Sequence, residues 1–179
     1  MNKYQEVLCF WFEEVDKELW FKKSDDFDQE IKNRFFDIHQ KAVVGELSYW
    51  RDNIYGRLAE IIVIDQFSRN MFRNNPKSFA YDNVALVLAQ EAIKAEDFHK
   101  LTTVEKSFLY LPFMHSESKE IHKEAVKLYS EKGLEYNYDF ELKHKEIIDR
   151  FGRYPHRNEV LGRISTAEEL EFLKDNKGF

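Results

Sequence analysis

Apolar residues recur along much of this chain at the spacing of an amphipathic helix, and no convincing pair of strands interrupts the pattern. The segment from residue 25 to residue 47 illustrates it, because charged side chains separate the apolar positions. One stripe of this segment is formed by Phe27, Ile31, Phe35, Ile38 and Ala42. The stripe predicts a helix that packs one face on a core, and Gly45 suits its C-terminal end.

The segment IYGRLAEIIVIDQFSRNMF, residues 54–72, is apolar round most of its circumference in the middle. A helix with that pattern is buried on all sides. The run IIVI would also suit a buried strand, but the apolar segment and its flanks are too long for one. The pattern therefore predicts a central helix.

Caps and helix breakers mark further helices. Asp82 stands where an N-cap belongs, and Thr102 followed three residues later by Glu105 forms a capping-box pattern. Pro112 lies late in the helix that this box opens, so we expect a kink or an end near His115.

The C-terminal part of the chain predicts two more helices. One covers residues 140–154 and is expected to run through Tyr154 before Pro155 stops it. Either Ser165 or Thr166 opens the last short helix, because each precedes a glutamate by three residues.

Composition supports the same fold class. Only 6 glycines and 3 prolines occur in 179 residues, which is few for a sheet protein with many tight turns. The chain has no low-complexity segment and no obvious linker, and no repeat near 34 residues is visible. We predict an all-α protein of seven or eight helices that forms one domain over residues 1–179.

Charge and targeting signals narrow the functions. A formal net charge of −6 argues against general nucleic-acid affinity. The single cysteine, Cys9, lies among aromatic residues and is expected to be a small buried hydrophobic group. The N-terminus lacks signal-peptide features, and no apolar run is long enough to span a bilayer. We therefore expect a cytoplasmic protein without a membrane segment.

The end of the central helix carries the first candidate site residues. Asp65 and Arg69 continue an apolar face, and Gln66, Asn70 and Arg73 form a polar row beside it. A buried charge must be paired or hydrogen-bonded. Two interpretations stay open: a structural ion pair that fixes helix packing, or a set that orients other groups in a site.

The segment HKEIIDRFGRYPHRN, residues 144–158, reverses the sign of the charge. Residues 143–163 hold six lysines and arginines against three acids. Guanidinium groups bind carboxylate and phosphate in a bidentate manner. The candidate ligand groups here are Arg150, Arg153, His156, Arg157 and Asn158. The alternative is an arginine-rich helix end that only neutralises nearby acids and the helix dipole.

Histidines supply the candidate proton carriers. His115 and Glu117 follow the predicted helix end, and His144 borders the core. A helix cap is the alternative role for His115. A zinc site made of His115, Glu117, His144 and His156 would need a fold that brings them together, and we predict no metal. No phosphate loop, GxSxG, HExxH or CxxC motif occurs, so the cofactor and the question of enzymatic activity stay open.

The motifs resemble one known family. The blocks FWF, LAEIIVIDQFSRNMFR, FLYLPFMHSES and FGRYPHRNEVLGRISTAEELEFL match, in order and spacing, the bacterial family called domain of unknown function 924. The resemblance covers almost the whole chain. It implies stacked helical hairpins similar to the tetratricopeptide class and carries no established activity. Ser68 departs from the family pattern, which usually has proline there.

These observations lead to one hypothesis with two alternatives. We expect a polar pocket that binds a small phosphorylated or carboxylated molecule, with His115 or His144 as a proton carrier oriented by Glu117 or Asp65. The candidate ligand-binding residues are Asp65, Gln66, Arg69, Asn70, His115, Glu117, His144, Arg150, Arg153, His156, Arg157 and Asn158. The alternatives are a helical module that grips a partner peptide, and a purely structural cluster.

Overall fold

The computed structural model describes residues 2–176, and this part of the chain contains helices and no strand, which confirms the all-α class. Its α-helices are α1 (Lys3–Cys9), α2 (Asp25–Val43), α3 (Ile54–Ile62), α4 (Asp82–Ala92), α5 (Thr103–Met114), α6 (Lys119–Tyr129), α7 (Glu135–Phe151) and α8 (Ala167–Asp175). Short 3-10 turns lie between several of them, at Lys17–Trp20, Ser48–Asp52, Pro76–Ser78, Phe98–Lys100 and Pro155–Arg157.

Helix α3 is the centre of the fold, as the apolar pattern predicts. It packs against α1, α4 and α5, and its continuation packs against α2. The side chains of Leu58, Ile61 and Ile62 are fully buried. Consecutive helices from α3 to α7 contact one another, while the tetratricopeptide-like arrangement stays a prediction. Within the described residues, no helix has both the length and the apolar character needed to cross a bilayer.

Helix α3 does not end at Ile62. It runs on through a π-helical turn, Val63–Phe67, and a final α-helical turn, Ser68–Met71. A π-turn is rare and often marks a functional site. Here the turn carries Asp65 and Gln66, so the widened part of the central helix is also the part with candidate site residues.

Helix α7 ends earlier than the sequence pattern predicts. The expected helix through Tyr154 is wrong, because the last helical residue is Phe151 and Gly152 adopts a left-handed φ of 69°. Glycine reaches this conformation without a Cβ clash, so it ends the helix before proline does. Consequently Arg153 and Arg157 do not share a helix face with Arg150.

The predicted capping boxes are present. Thr102 and Glu105 open α5, and Thr166 with Glu169, rather than the pair that begins at Ser165, opens α8. Helix α5 contains Pro112 and ends at Met114, close to the predicted end.

Cys9 is half-buried at the end of α1, so the expectation of a fully buried thiol is wrong. Its neighbours in sequence account for this position, because Phe10 and Trp11 take the core positions that follow it.

Candidate functional site

A cavity of about 440 Å³ lies where the last turns of α3, the end of α5, the N-terminal half of α7 and the Pro155–Arg157 turn meet. Small-molecule sites commonly have volumes of roughly 300–1,000 Å³. The candidate residues that line it are Gln66, Arg69, Asn70, His115, His144, His156 and Arg157. The candidates outside its lining are Asp65, Glu117, Arg150, Arg153 and Asn158. Whether any of them binds a ligand stays a prediction.

The charged side chains that line the cavity are all cationic. Among the described lining residues these cations are Lys22, Arg69, Arg73 and Arg157, and none of the lining residues is acidic. The carboxylates that pair with the arginines, those of Asp28, Asp65 and Asp82, lie outside the lining. The cavity therefore presents the positive ends of its ion pairs.

Arg69 is held by two carboxylates. Its Nη1 and Nη2 donate to Oδ1 and Oδ2 of Asp82, each at 3.0 Å, and Nη1 also lies 3.0 Å from Oδ1 of Asp65. Burial alone would lower the pKa of Arg69, but the two negative charges raise it above its ordinary value. The predicted Asp65–Arg69 pair thus exists, and its arginine forms part of the cavity wall.

Arg157 is fixed on four sides. Nη1 donates to Oδ2 of Asp82 at 3.2 Å, and Nη2 donates to the backbone oxygen of His115 at 3.0 Å. The guanidinium carbon lies 4.6 Å from the ring centroid of Phe79 and 4.5 Å from that of Tyr154. Nε is buried and has no hydrogen-bond partner among the described residues. Burial lowers the pKa of Arg157 from its ordinary value, so the two rings and Asp82 stabilise a desolvated cation.

Asp82 pairs with two arginines of the cavity wall, and the sequence pattern did not predict this role. It is the first residue of α4, and Tyr81 occupies the cap position that was expected for Asp82. Its side chain instead bridges Arg69 and Arg157, which are far apart in the chain. An aspartate at a helix start indicates a cap, and nothing near it in the sequence reveals a tertiary ion pair.

Asp65 is ionised and orients His115. Burial alone would raise the pKa of Asp65, but the charge of Arg69 and the hydrogen bonds from His115 and Gln66 lower it below its ordinary value. Oδ1 accepts from Nδ1 of His115 at 2.8 Å, and Oδ2 accepts from the Gln66 amide at 2.6 Å. The side chain of Asp65 is only 1% exposed, so this carboxylate acts through its neighbours.

His115 has the geometry of a proton acceptor. Burial and the charge of Arg69 lower its pKa, although Asp65 opposes that shift. A neutral ring that donates from Nδ1 to a carboxylate keeps its lone pair on Nε2. Nε2 has no hydrogen-bond partner among the described residues, and the ring lines the cavity. A carboxylate-oriented imidazole of this kind is the usual arrangement of a general base.

His144 and His156 are uncharged near neutral pH. Burial lowers the pKa of His144 to about 3 and that of His156 to about 4. Nδ1 of His144 donates to the backbone oxygen of Phe140 at 2.8 Å, whereas Nδ1 of His115 bonds the Asp65 carboxylate. His115 and His144 were both predicted as proton carriers. The Asp65 carboxylate orients the ring of His115, whereas a backbone oxygen orients that of His144.

Comparison with known proteins agrees with the motifs. The chain matches the family model described as a bacterial protein of unknown function, DUF924, over residues 7–177. The chain belongs to this family. It is also similar to the solved structure of a protein of unknown function, ATU0120, from Agrobacterium tumefaciens, with 33% identity and a TM-score of 0.91. That alignment covers 97% of this chain and 98% of the other. A search of the curated proteins finds no match.

Two further candidates of this DUF924 protein, Glu117 and Asn158, brace its C-terminal loop. Glu117 accepts the backbone N–H of Tyr154 at 2.8 Å and binds both Nη atoms of Arg163 at 2.7 and 2.9 Å. Asn158 is buried and donates its amide to the Ser165 hydroxyl at 3.0 Å. The Glu117 bonds join the C-terminal loop to the segment after α5, and the Asn158 bond joins the turn that carries Arg157 to the segment before α8.

The zinc alternative does not assemble. Glu117 is engaged by Arg163, whereas His115, His144 and His156 line the cavity. Across residues 2–176 no group of three or more histidine, cysteine, aspartate or glutamate side chains is placed to hold a metal ion.

Arg150 and Arg153 bind α8 and do not line the cavity, whereas Arg157 does. Arg150 pairs with Glu168, and Arg153 makes a bidentate pair with Glu169 through bonds of 2.6 and 2.8 Å. The side chain of Glu169 is almost fully buried. Both arginines thus have acidic partners in α8, as the structural alternative expects, and a ligand-binding role for either stays a prediction.

Arg153→Ala should lower the midpoint of thermal unfolding by several degrees, because it leaves the buried Glu169 carboxylate without its guanidinium partner. The same variant should bind inorganic phosphate as the wild type does. Calorimetry with and without phosphate measures both quantities. Arg150→Ala is the control, since its partner Glu168 is exposed and such pairs contribute little. Loss of phosphate binding in Arg153→Ala would contradict this assignment.

Several lining residues escaped the sequence-based prediction. Arg73 belongs to the polar row beside Asp65, so its position gave a signal, but Lys22 lies in a segment without a recognisable motif. Aromatic residues of the lining also carried no signal, because aromatic side chains at helical spacing usually indicate a core. The unrecognised aromatic members are Trp20, Phe21, Phe79, Tyr136, Phe140 and Tyr154.

Proposed function

We propose that the cavity binds a small molecule that carries a phosphate or a carboxylate group. The observation that carries this proposal is the charge of the cavity lining. Its charged side chains are cations, and the carboxylates that pair with them lie outside the lining. An anion that enters the cavity meets guanidinium and ammonium groups before it meets any carboxylate.

The cations retain hydrogen-bonding capacity for such a ligand. A guanidinium has five N–H donors. Arg73 uses Nε and Nη2 on Asp28, at 2.5 and 2.7 Å, which leaves Nη1 without a carboxylate. Lys22 forms no ion pair with any described residue and adds an uncompensated charge at the cavity. An anion would therefore find donors without breaking the existing pairs.

His115 gives the proposed site acid–base capacity. Its Nε2 would accept a proton from a ligand hydroxyl or from a water molecule beside the bound anion, and Asp65 would stabilise the resulting imidazolium. His144 and His156, being neutral, would contribute hydrogen bonds rather than charge.

The volume supports a small molecule over an extended peptide. A groove that grips a helix or strand presents several side-chain pockets along its length, whereas this site is one cavity of about 440 Å³. Peptide binding remains an outcome that the experiment below can detect.

Thermal stabilisation by anions tests the proposal, because a ligand that binds only the folded state raises the unfolding temperature. Inorganic phosphate, pyrophosphate, citrate and acetate are compared at constant ionic strength, with an acidic peptide as a further arm. We expect saturable stabilisation by phosphate or a carboxylate. Absence of stabilisation by all four anions, or stabilisation by the peptide alone, would contradict the proposal.

Lys22→Gln should weaken phosphate binding by about threefold, since it removes one exposed charge from the lining of the cavity. Lys23→Gln is the matched control, because Lys23 is adjacent, exposed and outside the cavity lining. Isothermal titration calorimetry measures both affinities. Equal losses in the two variants would indicate a general charge effect and not a site.

A further inference from the structure

The lining of the cavity contains both buried and exposed side chains. Arg157 and His144 are buried, whereas Phe21 and Tyr136 also line the cavity and are 65% and 70% exposed. Exposure of this degree places the two rings at the entrance. The opening of the cavity thus carries two exposed rings beside the exposed Lys22, and the Arg157 guanidinium lies in its buried part.

Phe21 and Tyr136 belong to different elements, and both line the cavity and a second depression next to it. Phe21 follows the Lys17–Trp20 turn, and Tyr136 lies in the first turn of α7. Both also line a neighbouring depression of about 180 Å³, together with Trp20 and Asn137. The cavity and the neighbouring depression therefore adjoin at these two rings.

Each entrance ring is supported from behind. Phe21 lies parallel to Phe108, with 6.0 Å between the centroids and 1° between the planes. Tyr136 contacts Phe140 with a centroid distance of 4.9 Å. Trp20 is fixed by a bond from its Nε1 to the backbone oxygen of Trp11 at 3.0 Å. Phe21 and Tyr136 leave most of their surface open to solvent, which suits stacking of a planar ligand.

We propose that the ligand of this site joins its anionic group to a planar ring, as an aryl or heterocyclic phosphate or carboxylate does. The anionic group would occupy the buried part of the cavity beside Arg157, and the ring would stack on Phe21 or Tyr136 at the entrance. This inference rests on the proposed function, because it assigns the anion to the same cations. An inorganic phosphate alone would leave the entrance rings and much of the cavity without contact.

Matched ligands separate the ring from the anion. Isothermal titration calorimetry compares methyl phosphate with phenyl phosphate, and acetate with benzoate, at pH 7.5 and constant ionic strength. Cyclohexyl phosphate controls for apolar area without a planar face. We expect phenyl phosphate, or benzoate if the site prefers carboxylates, to bind about tenfold more tightly than its ring-free counterpart. The cyclohexyl ester should gain clearly less.

Variants at the entrance test the location. The double variant Phe21→Ala/Tyr136→Ala should lose most of the advantage of the ring, while its affinity for methyl phosphate stays within about twofold of the wild type, as expected for exposed positions outside the anion contacts. Tyr49→Ala is the control, because Tyr49 is 58% exposed and lies outside the cavity lining.

Two failures are distinguishable. If methyl and phenyl phosphate bind equally, and acetate and benzoate do too, the inference about the ring is wrong while the proposed anion site stands. Survival of the ring advantage in the double variant would overturn the inference about the ring in the same way. If no anion of either pair binds, the proposed function is wrong and this inference falls with it.

Discussion

Asp65→Asn is expected to lower the free energy of unfolding by about 3 kcal/mol at pH 7, because it removes the buried charge that faces Arg69 and His115. The new amide would also place a donor where Arg69 and Gln66 already present donors. Asp82 still compensates Arg69, which keeps the expected loss at the lower end for a broken buried pair. Urea denaturation at pH 7 measures the change.

The effect of Asp65→Asn should depend on pH. The pKa of Asp65 is lowered in the folded protein, so its contribution is present above the unfolded-state pKa of about 4 and is lost as the pH falls toward the folded value. The stability difference between wild type and variant should therefore narrow below about pH 4. Asp139→Asn, at an exposed position of α7, is the control and should change stability little. A difference that is small at pH 7 and constant with pH would show that Asp65 is not an ionised, buried partner.

Arg157→Lys is expected to weaken phosphate binding by about tenfold or more, since lysine cannot reproduce the planar fork that Asp82 and the His115 carbonyl hold in place. Lysine also forfeits the stacking between Phe79 and Tyr154. The unfolding free energy should fall by about 2 kcal/mol as well, because buried hydrogen bonds are lost. Titration calorimetry and urea denaturation measure the two effects.

Arg34→Lys is a matched control for that substitution. Arg34 also contacts two aromatic rings, Phe10 at 4.4 Å and Phe35 at 5.2 Å, and pairs with Glu14 at 2.6 Å, but it lies outside the cavity. It should leave phosphate affinity unchanged. If Arg157→Lys binds phosphate as the wild type does, the buried guanidinium is a structural group only.

Local signals were sufficient for much of the fold. The apolar circumference of residues 54–72 predicts a buried helix because burial on all sides requires that pattern, and residues 58–68 are all buried. The capping boxes at Thr102 and Thr166 are present because their bonds join residues three apart. Helical periodicity and capping boxes depend on residues that are close in the chain, so they can be recognised in a single sequence.

Helix α7 shows where local signals fail. The helix was expected to run through Tyr154 and so to include both Arg150 and Arg153, but Gly152 ends it between them. A glycine inside a helical pattern is compatible with a helix or with a left-handed cap, and tertiary contacts decide between them. Here Arg153 binds Glu169 of α8, and Arg157 binds Asp82 of α4.

The sequence predicted a polar cavity but only some of the residues that line it. Histidine and arginine near helix ends suggested a polar cavity, and His115, His144, His156, Arg69 and Arg157 do line one. Asp82 was missed because it pairs with arginines from distant segments, and Lys22 was missed because only the fold places it beside the cavity. No local pattern carries that information.

Anomalous diffraction from crystals soaked in selenate would locate an anion bound in the cavity, because selenate mimics tetrahedral phosphate and its selenium atom marks its position. We expect the strongest peak inside the cavity, within hydrogen-bond distance of Arg157 or Arg73. Selenate peaks confined to the outer surface, with none inside the cavity, would contradict it.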